Sequence, residues 1–251
     1  SKIVYKPRNV SLEEGFQKYI KYFNAYSTKL NLRCLNVLNR NEYGWVEYVN
    51  FEDQKNQEES ESYHYKLGYL TALVYSLCGV DIFFENLVSA GSDPIIIDLE
   101  ALFHTPIDFA IFDTPSQNLQ IFLNSSVAGI GILPRPSMGA SDEEVFDISV
   151  MGAKKNARAP YKVLGLQNFG RADMRIDEID GWIPETHAAS NKSFPQSLKN
   201  ENFFRGLNDA FLSLAAQKTS LCCPGGLLDQ LFSGATRRLI IRDTKTYGAL
   251  Q

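Results

Sequence analysis

CGVDIFFENLVSAGSDPIIIDLEALF, residues 78–103, decides how the rest of the chain is read. It parses as a helix end, a loop, a short strand, a turn, a second short strand and a loop. Asp81 lies in the first loop, Asn86 follows five residues later, and Asp98 and Glu100 end the second strand. A hairpin there brings together one candidate base and three candidate metal ligands. A hydroxyl nucleophile needs a carboxylate within hydrogen-bond reach to take its proton, and Asp81 suits that task. Mg²⁺ takes hard oxygen ligands from one or two side chains plus phosphates, which suits Asn86 and Asp98 with Glu100 beside them. The same residues serve equally well as a turn cap and a strand end.

Working outward, a strong helical pattern precedes this stretch over Tyr63–Leu77, with Leu67, Leu70, Leu73, Val74 and Leu77 on one face. Before it, residues 53–61 (DQKNQEESE) read as an exposed connector and a lobe boundary. Further upstream, KIVYK (residues 2–6) alternates like a strand and is ended by Pro7. Ser11 is a candidate N-cap for a helix running to about Leu30, with Leu12, Phe16, Tyr19, Ile20 and Phe23 at helical spacing. Residues 33–38 and 43–49 read as strands joined by a turn at Asn39–Asn41. Downstream, Leu119–Leu123 is a candidate helix and Val127–Leu133 fits strand or turn. Val145–Val150 and Tyr161–Leu166 are candidate strands, Asn202–Gln217 a helix, and Pro224–Gly225 opens a short helix to Phe232. Arg237–Ile241 is expected to be the last strand.

Composition narrows the function classes. The chain has 251 residues, 44% hydrophobic and 22% charged, ordinary for a globular protein and enough for one large domain or two lobes. A net charge of −4 gives no general electrostatic case for nucleic acid. Cys34, Cys78, Cys222 and Cys223 form no CxxC pair, which fits a reducing, cytoplasmic compartment. His64, His104 and His187 have no zinc-ligand spacing with them. Membrane association is not indicated: no apolar run approaches the length of a span. Residue 1 is Ser, directly before a strand, so the chain looks cut from something longer.

An Asp, an Asn five residues on and an Asp after a strand pair is how protein and lipid kinases hold Mg-ATP. With the neighbouring blocks added, the chain resembles the dehydratase domain of class II (LanM-type) lanthipeptide synthetases. The blocks are KIVYKPR (Lys2–Arg8), YGWVEYV (Tyr43–Val49), Tyr65–Phe103, GIGILP (Gly129–Pro134), DISVMG (Asp147–Gly152), NFGRADMRI (Asn168–Ile176) and RRLIIRDTKTY (Arg237–Tyr247). They occur in the family's order and span essentially the whole chain.

The resemblance implies an α+β, two-lobed fold related to lipid and protein kinases. Residues 1–52 would be the remainder of the small lobe, whose N-terminal part is missing, and 53–251 the large lobe. It also implies ATP and Mg²⁺ as cofactors and a ribosomal precursor peptide as partner. A Ser or Thr hydroxyl would be phosphorylated and the phosphate then eliminated to give dehydroalanine or dehydrobutyrine. A zinc cyclase domain would lie on the same parent chain. Lys6 matches the lysine that contacts ATP phosphates, Asp81 the catalytic-loop aspartate, Asn86 the metal asparagine, and Asp98 and Glu100 the metal-side acids. Arg238 and Thr244 match the elimination pair, with Arg242 two residues before Thr244. Guanidinium forks suit a departing phosphate; without the resemblance these three read as a solvated basic edge.

The chain departs from the family at Phe83, where the pattern has His two residues after the Asp. Phe can neither move a proton nor act as a cation towards phosphate. Two other functions stay open: a kinase-like phosphotransferase that stops at the phosphorylated product, and a non-catalytic module that holds a leader peptide or a partner enzyme. Glu13 or Glu14 could pair with Lys6, or simply favour the start of the helix. His104 could reach the acidic site, although a lone histidine is more often structural. Tyr43 and Trp45 could pack a hinge, bind peptide or stack on adenine, with hinge packing the favoured reading, and the basic residues from Arg135 to Arg158 could guide a peptide or remain solvated.

Overall fold

The computed structural model describes residues 2–27, 30–105, 115–138, 145–153, 158–182 and 195–238. Strand β1 (Ile3–Lys6) is followed by helix α1 (Ser11–Tyr26). Ser11 is not the cap expected for α1. It is the first helical residue, its N–H bonded to Asn9 Oδ1 at 2.8 Å, while Val10 in the cap position offers no side-chain bond. The helix ends at Tyr26, short of Leu30. Asn24 accounts for the stop by giving its Nδ2 to Leu32 O (2.7 Å) and accepting Leu32 N–H (2.8 Å), which turns the chain back.

Strands β2 (Val37–Asn39) and β3 (Gly44–Glu47) complete a sheet of order β1-β3-β2, antiparallel throughout. β2 begins later than the apolar alternation suggests because side chains take the upstream N–H groups. Gln17 Oε1 holds Leu35 N–H at 2.7 Å, and Glu47 Oε2 holds Asn36 N–H at 3.1 Å.

Helix α2 (Gln57–Ser76) starts six residues before the expected Tyr63. Asn56 is a true N-cap: its side chain accepts Glu59 N–H at 2.8 Å, and Glu58 and Glu59 sit where the helix dipole favours them. The polar run read as connector is therefore partly helix. A 3₁₀ turn (Phe84–Asn86) then leads into β4 (Leu87–Ala90) and β5 (Asp93–Ile96), the expected hairpin, turning at Gly91 with φ +65°.

Helix α3 (Pro115–Ser125) is followed by a second 3₁₀ turn, Val127–Ile130, where strand or turn was expected. Short strands β6 (Ser137–Met138) and β7 (Val145–Phe146) pair with each other. β8 (Arg158–Gln167) pairs with β9 (Arg175–Trp182), a strand the sequence did not announce. Helix α4 (Gln196–Cys222) outruns its expected limits at both ends, and α5 (Leu227–Phe232) closes the described fold. Arg237 and Arg238 are not in a strand, and the rest of the expected last strand lies outside the described residues.

The β4–β5 hairpin stands between two hydrophobic cores. Leu87 and Ile96, a cross-strand pair, join the larger one with α1, α2 and α4. Val88 and Ile95, the next pair, point the other way and join Leu35, Val46 and Val49 beneath the three-stranded sheet. Period-two alternation lets one hairpin serve both cores. Among the described residues no helix is long and apolar enough to cross a membrane.

Candidate active site

β1 alternates, so Val4 and Lys6 point from the sheet towards the hairpin while Ile3 and Tyr5 face outward. Between sheet and hairpin lies a cleft of about 310 Å³ lined by Val4, Val46, Val49, Phe51, Val88 and Ile97, with Lys6 also on its wall. Lys6 donates to Ile97 O at 2.9 Å, and its ammonium stands 3.3 Å from Asp98 Oδ2. Residues more than ninety positions apart thus meet as an ion pair, and its cation, Lys6, lines the apolar cleft. Tyr43 and Trp45 do not line it: their rings meet Tyr5 in tilted contacts, on the sheet's outer face, at centroid distances of 5.8 and 4.9 Å.

Asp81 sits in the loop after α2 in a left-handed conformation, φ +66°. Burial pushes its carboxyl up to about 6, helped by Glu85, Asp98 and Glu100 and opposed by Arg238. A carboxylate in that range is a stronger base than a solvated one and is still mostly ionised at neutral pH. Asn86 gives its Nδ2 to Asp81 O at 2.7 Å, so the loop is closed on itself and Oδ1 is the asparagine atom suited to a cation. Ile97 N–H bonds Asn86 O at 2.9 Å, which ties that loop to the approach of Asp98. Phe83 makes an isolated bridge with Ser149, and its ring lies against Gly131, which has φ +103°.

The acidic pair is held by arginines. Arg238 bonds Glu100 Oε1 at 2.6 Å, and its own N–H reaches Glu100 O at 2.9 Å. That carboxylate raises the Arg238 pKa. Arg8 was not singled out from the sequence, yet it is the hub. Its Nη2 contacts Asp98 Oδ1 at 2.6 Å and Glu13 Oε1 at 2.5 Å, and its Nε lies 3.1 Å from Glu100 Oε2. Burial pulls the Arg8 pKa down, but Glu13, Asp98 and Glu100 outweigh it and the net shift is upward. The partner imagined for Lys6 on α1 is therefore Arg8's: Glu13 binds Arg8, while Glu14 pairs with Lys18 at 2.7 Å. An Arg just after a proline carries no periodic signal, which is why only the folded chain reveals it.

Thr244 and Arg242 lie outside the described residues. His104 is anchored through its N–H on Cys78 O at 3.0 Å. Burial, then Arg237, lowers its pKa. Among the described residues no three His, Cys, Asp or Glu side chains are grouped to hold a metal by themselves. The donor set of Asn86, Asp98 and Glu100 offers hard oxygens of the kind that Mg²⁺ shares with phosphates, for which an all-protein cage is not required.

Across its full length the chain is 36% identical to "Lacticin 481/lactococcin biosynthesis protein LcnDR2" of Lactococcus lactis subsp. lactis. The alignment spans 28% of that relative's length. A family model described as "Domain of unknown function (DUF4135)" matches residues 1–251, and the chain belongs to that family.

Proposed function

We propose that this chain is the dehydratase region of a lanthipeptide synthetase with a kinase-like, two-lobed fold, and that it acts on Ser and Thr residues of a ribosomal precursor peptide. The relative's name, a lacticin biosynthesis protein, supports a place in lanthipeptide maturation. The observation that carries the chemistry is that Lys6, on the wall of the apolar cleft, pairs with Asp98 at 3.3 Å. An adenine ring fits between walls such as Val46, Val88 and Ile97, and phosphates then extend towards Lys6.

Mg²⁺ held by Asn86 and Asp98, with Glu100 beside them, would offset phosphate charge during transfer. Asp81 takes the proton of the peptide hydroxyl as its oxygen bonds to the γ-phosphorus of ATP and ADP leaves. Lys6 neutralises charge on the phosphates. In the second step a base removes the Cα proton, the Cβ–O bond breaks and inorganic phosphate departs, for a net loss of water. Arg238, Arg242 and Thr244 are assigned to that phosphate by resemblance, and a guanidinium fork suits it.

The test uses the full-length protein with precursor peptide, ATP and Mg²⁺, read by intact mass spectrometry. Loss of water is expected. Gain of phosphate without loss of water would leave a kinase stalled before elimination, the outcome that Phe83 favours. An unchanged peptide with no ATP turnover would overturn both enzyme readings and leave a binding module.

A further inference from the structure

Both carboxylates assigned to the cation are already engaged. Asp98 has Lys6 at Oδ2 and Arg8 at Oδ1; Glu100 has Arg238 at Oε1 and Arg8 at Oε2. Three cations, Lys6, Arg8 and Arg238, are in contact with three carboxylates, Glu13, Asp98 and Glu100, and Asp81 adds a fourth carboxylate close enough to feel Asp98, Glu100 and Arg238. A divalent ion can take Asp98 only if one of these contacts yields. Arg8 is the group with somewhere to go. Glu13 is 3% exposed, accepts Arg8 Nη2 with Oε1, and buries Oε2 with no hydrogen-bond partner. A buried acceptor without a donor is unfavourable, because burial has stripped its water and nothing replaces it. A small rotation of the fork would turn the single Arg8–Glu13 contact into a bidentate pair.

We propose that Arg8 is a positioning residue for the cation site: a resident counter-ion on Asp98 and Glu100 that moves onto Glu13 when metal and nucleotide enter. Glu13 is its receiving partner and couples the site to α1. The proposal rests on the nucleotide reading above. Arg8 keeps the acids from repelling phosphate when no metal is present. The shift onto Glu13 exposes Asp98 to the incoming ion. The two residues therefore act on metal dependence in opposite directions.

The experiment measures binding of a non-hydrolysable ATP analogue to the full-length protein by calorimetry, with Mg²⁺ and with EDTA. The readout is the ratio of the two affinities. In R8Q the acids lose the one cation they share, Lys6 and Arg238 remaining on one acid each, metal-free binding weakens, and the ratio rises by about tenfold, within the range for groups that support metal ligands. In E13Q the receiving carboxylate is gone, Arg8 stays on Asp98 and Glu100, and the ratio falls by a similar factor. Opposite changes support the proposal. Ratios that stay at the wild-type value, or move together, overturn it while leaving nucleotide binding intact. Failure of wild type to bind the analogue at all overturns the nucleotide reading instead. E13Q is nearly isosteric, so it decides the matter alone if R8Q does not fold: a ratio that rises or stays level overturns the proposal.

Discussion

Asp81 carries two unfavourable features at once, a left-handed backbone and a carboxylate among other carboxylates. Asn tolerates φ near +66° at least as well as Asp, and it removes the repulsion from Glu85, Asp98 and Glu100. Asp81→Asn should therefore stabilise the protein, by on the order of 1 kcal/mol after solvent screening, while lowering phosphoryl transfer by about 10²–10⁴-fold. The folded pKa is raised, so the sign is fixed. The destabilisation is absent below the ordinary carboxylate value of 3.8, grows as pH rises, and is complete above about 6. Melting curves of wild type and variant should converge at pH 4 and separate at pH 7; a gap that persists in acid would assign it to the backbone alone. If Asp81 is the base, kcat/KM for phosphorylation at low concentrations of both substrates, which reports the free enzyme, should fall tenfold per pH unit below about 6, as Asp81 takes up its proton. A rate that stays level to pH 5 would remove Asp81 from the role of base.

At the level of elements, α2 and α4 cross where neither carries a side chain. A Cβ on Gly68 would stand 1.9 Å from Phe203 O, and one on Gly206 would stand 1.9 Å from Tyr65 O. The helices touch backbone to backbone, reciprocally. Gly206→Ala gains about 1 kcal/mol of helix propensity, but the overlap involves backbone and costs about 1–3 kcal/mol or more. The melting temperature should fall, on the order of 5 °C; a rise would show that the helices separate without penalty. Both helices were legible in outline because their apolar residues recur every three to four positions. Their ends were not. Asn56 within a charged run looks like loop until its side chain caps Glu59. β2 was shortened by Gln17 and Glu47, side chains distant in sequence that claim its N–H groups. β9 was missed because Arg175, Asp177 and Glu178 dilute its apolar positions.

For the whole molecule, the hairpin was readable because its acids and turn lie within one short stretch. The cleft was not, since Val4, Val46, Val88 and Ile97 meet only after β1 and β3 pair above the hairpin. The same assembly would make ligand binding there a global event. A nucleotide in the cleft would touch the sheet, the hairpin and the chain at Val49–Phe51 together, so its binding energy adds to stability. At one hundred times Kd, Mg-ATP should stabilise the fold by about 2.7 kcal/mol, raising the melting temperature by about 5–10 °C. Lys6→Met keeps the aliphatic stem along the cleft and removes the ammonium beside Asp98. At the same Mg-ATP concentration its melting shift should shrink to less than half. A full shift in that variant would place the nucleotide away from Lys6, and the phosphates could then not extend from the cleft towards the Lys6–Asp98 pair.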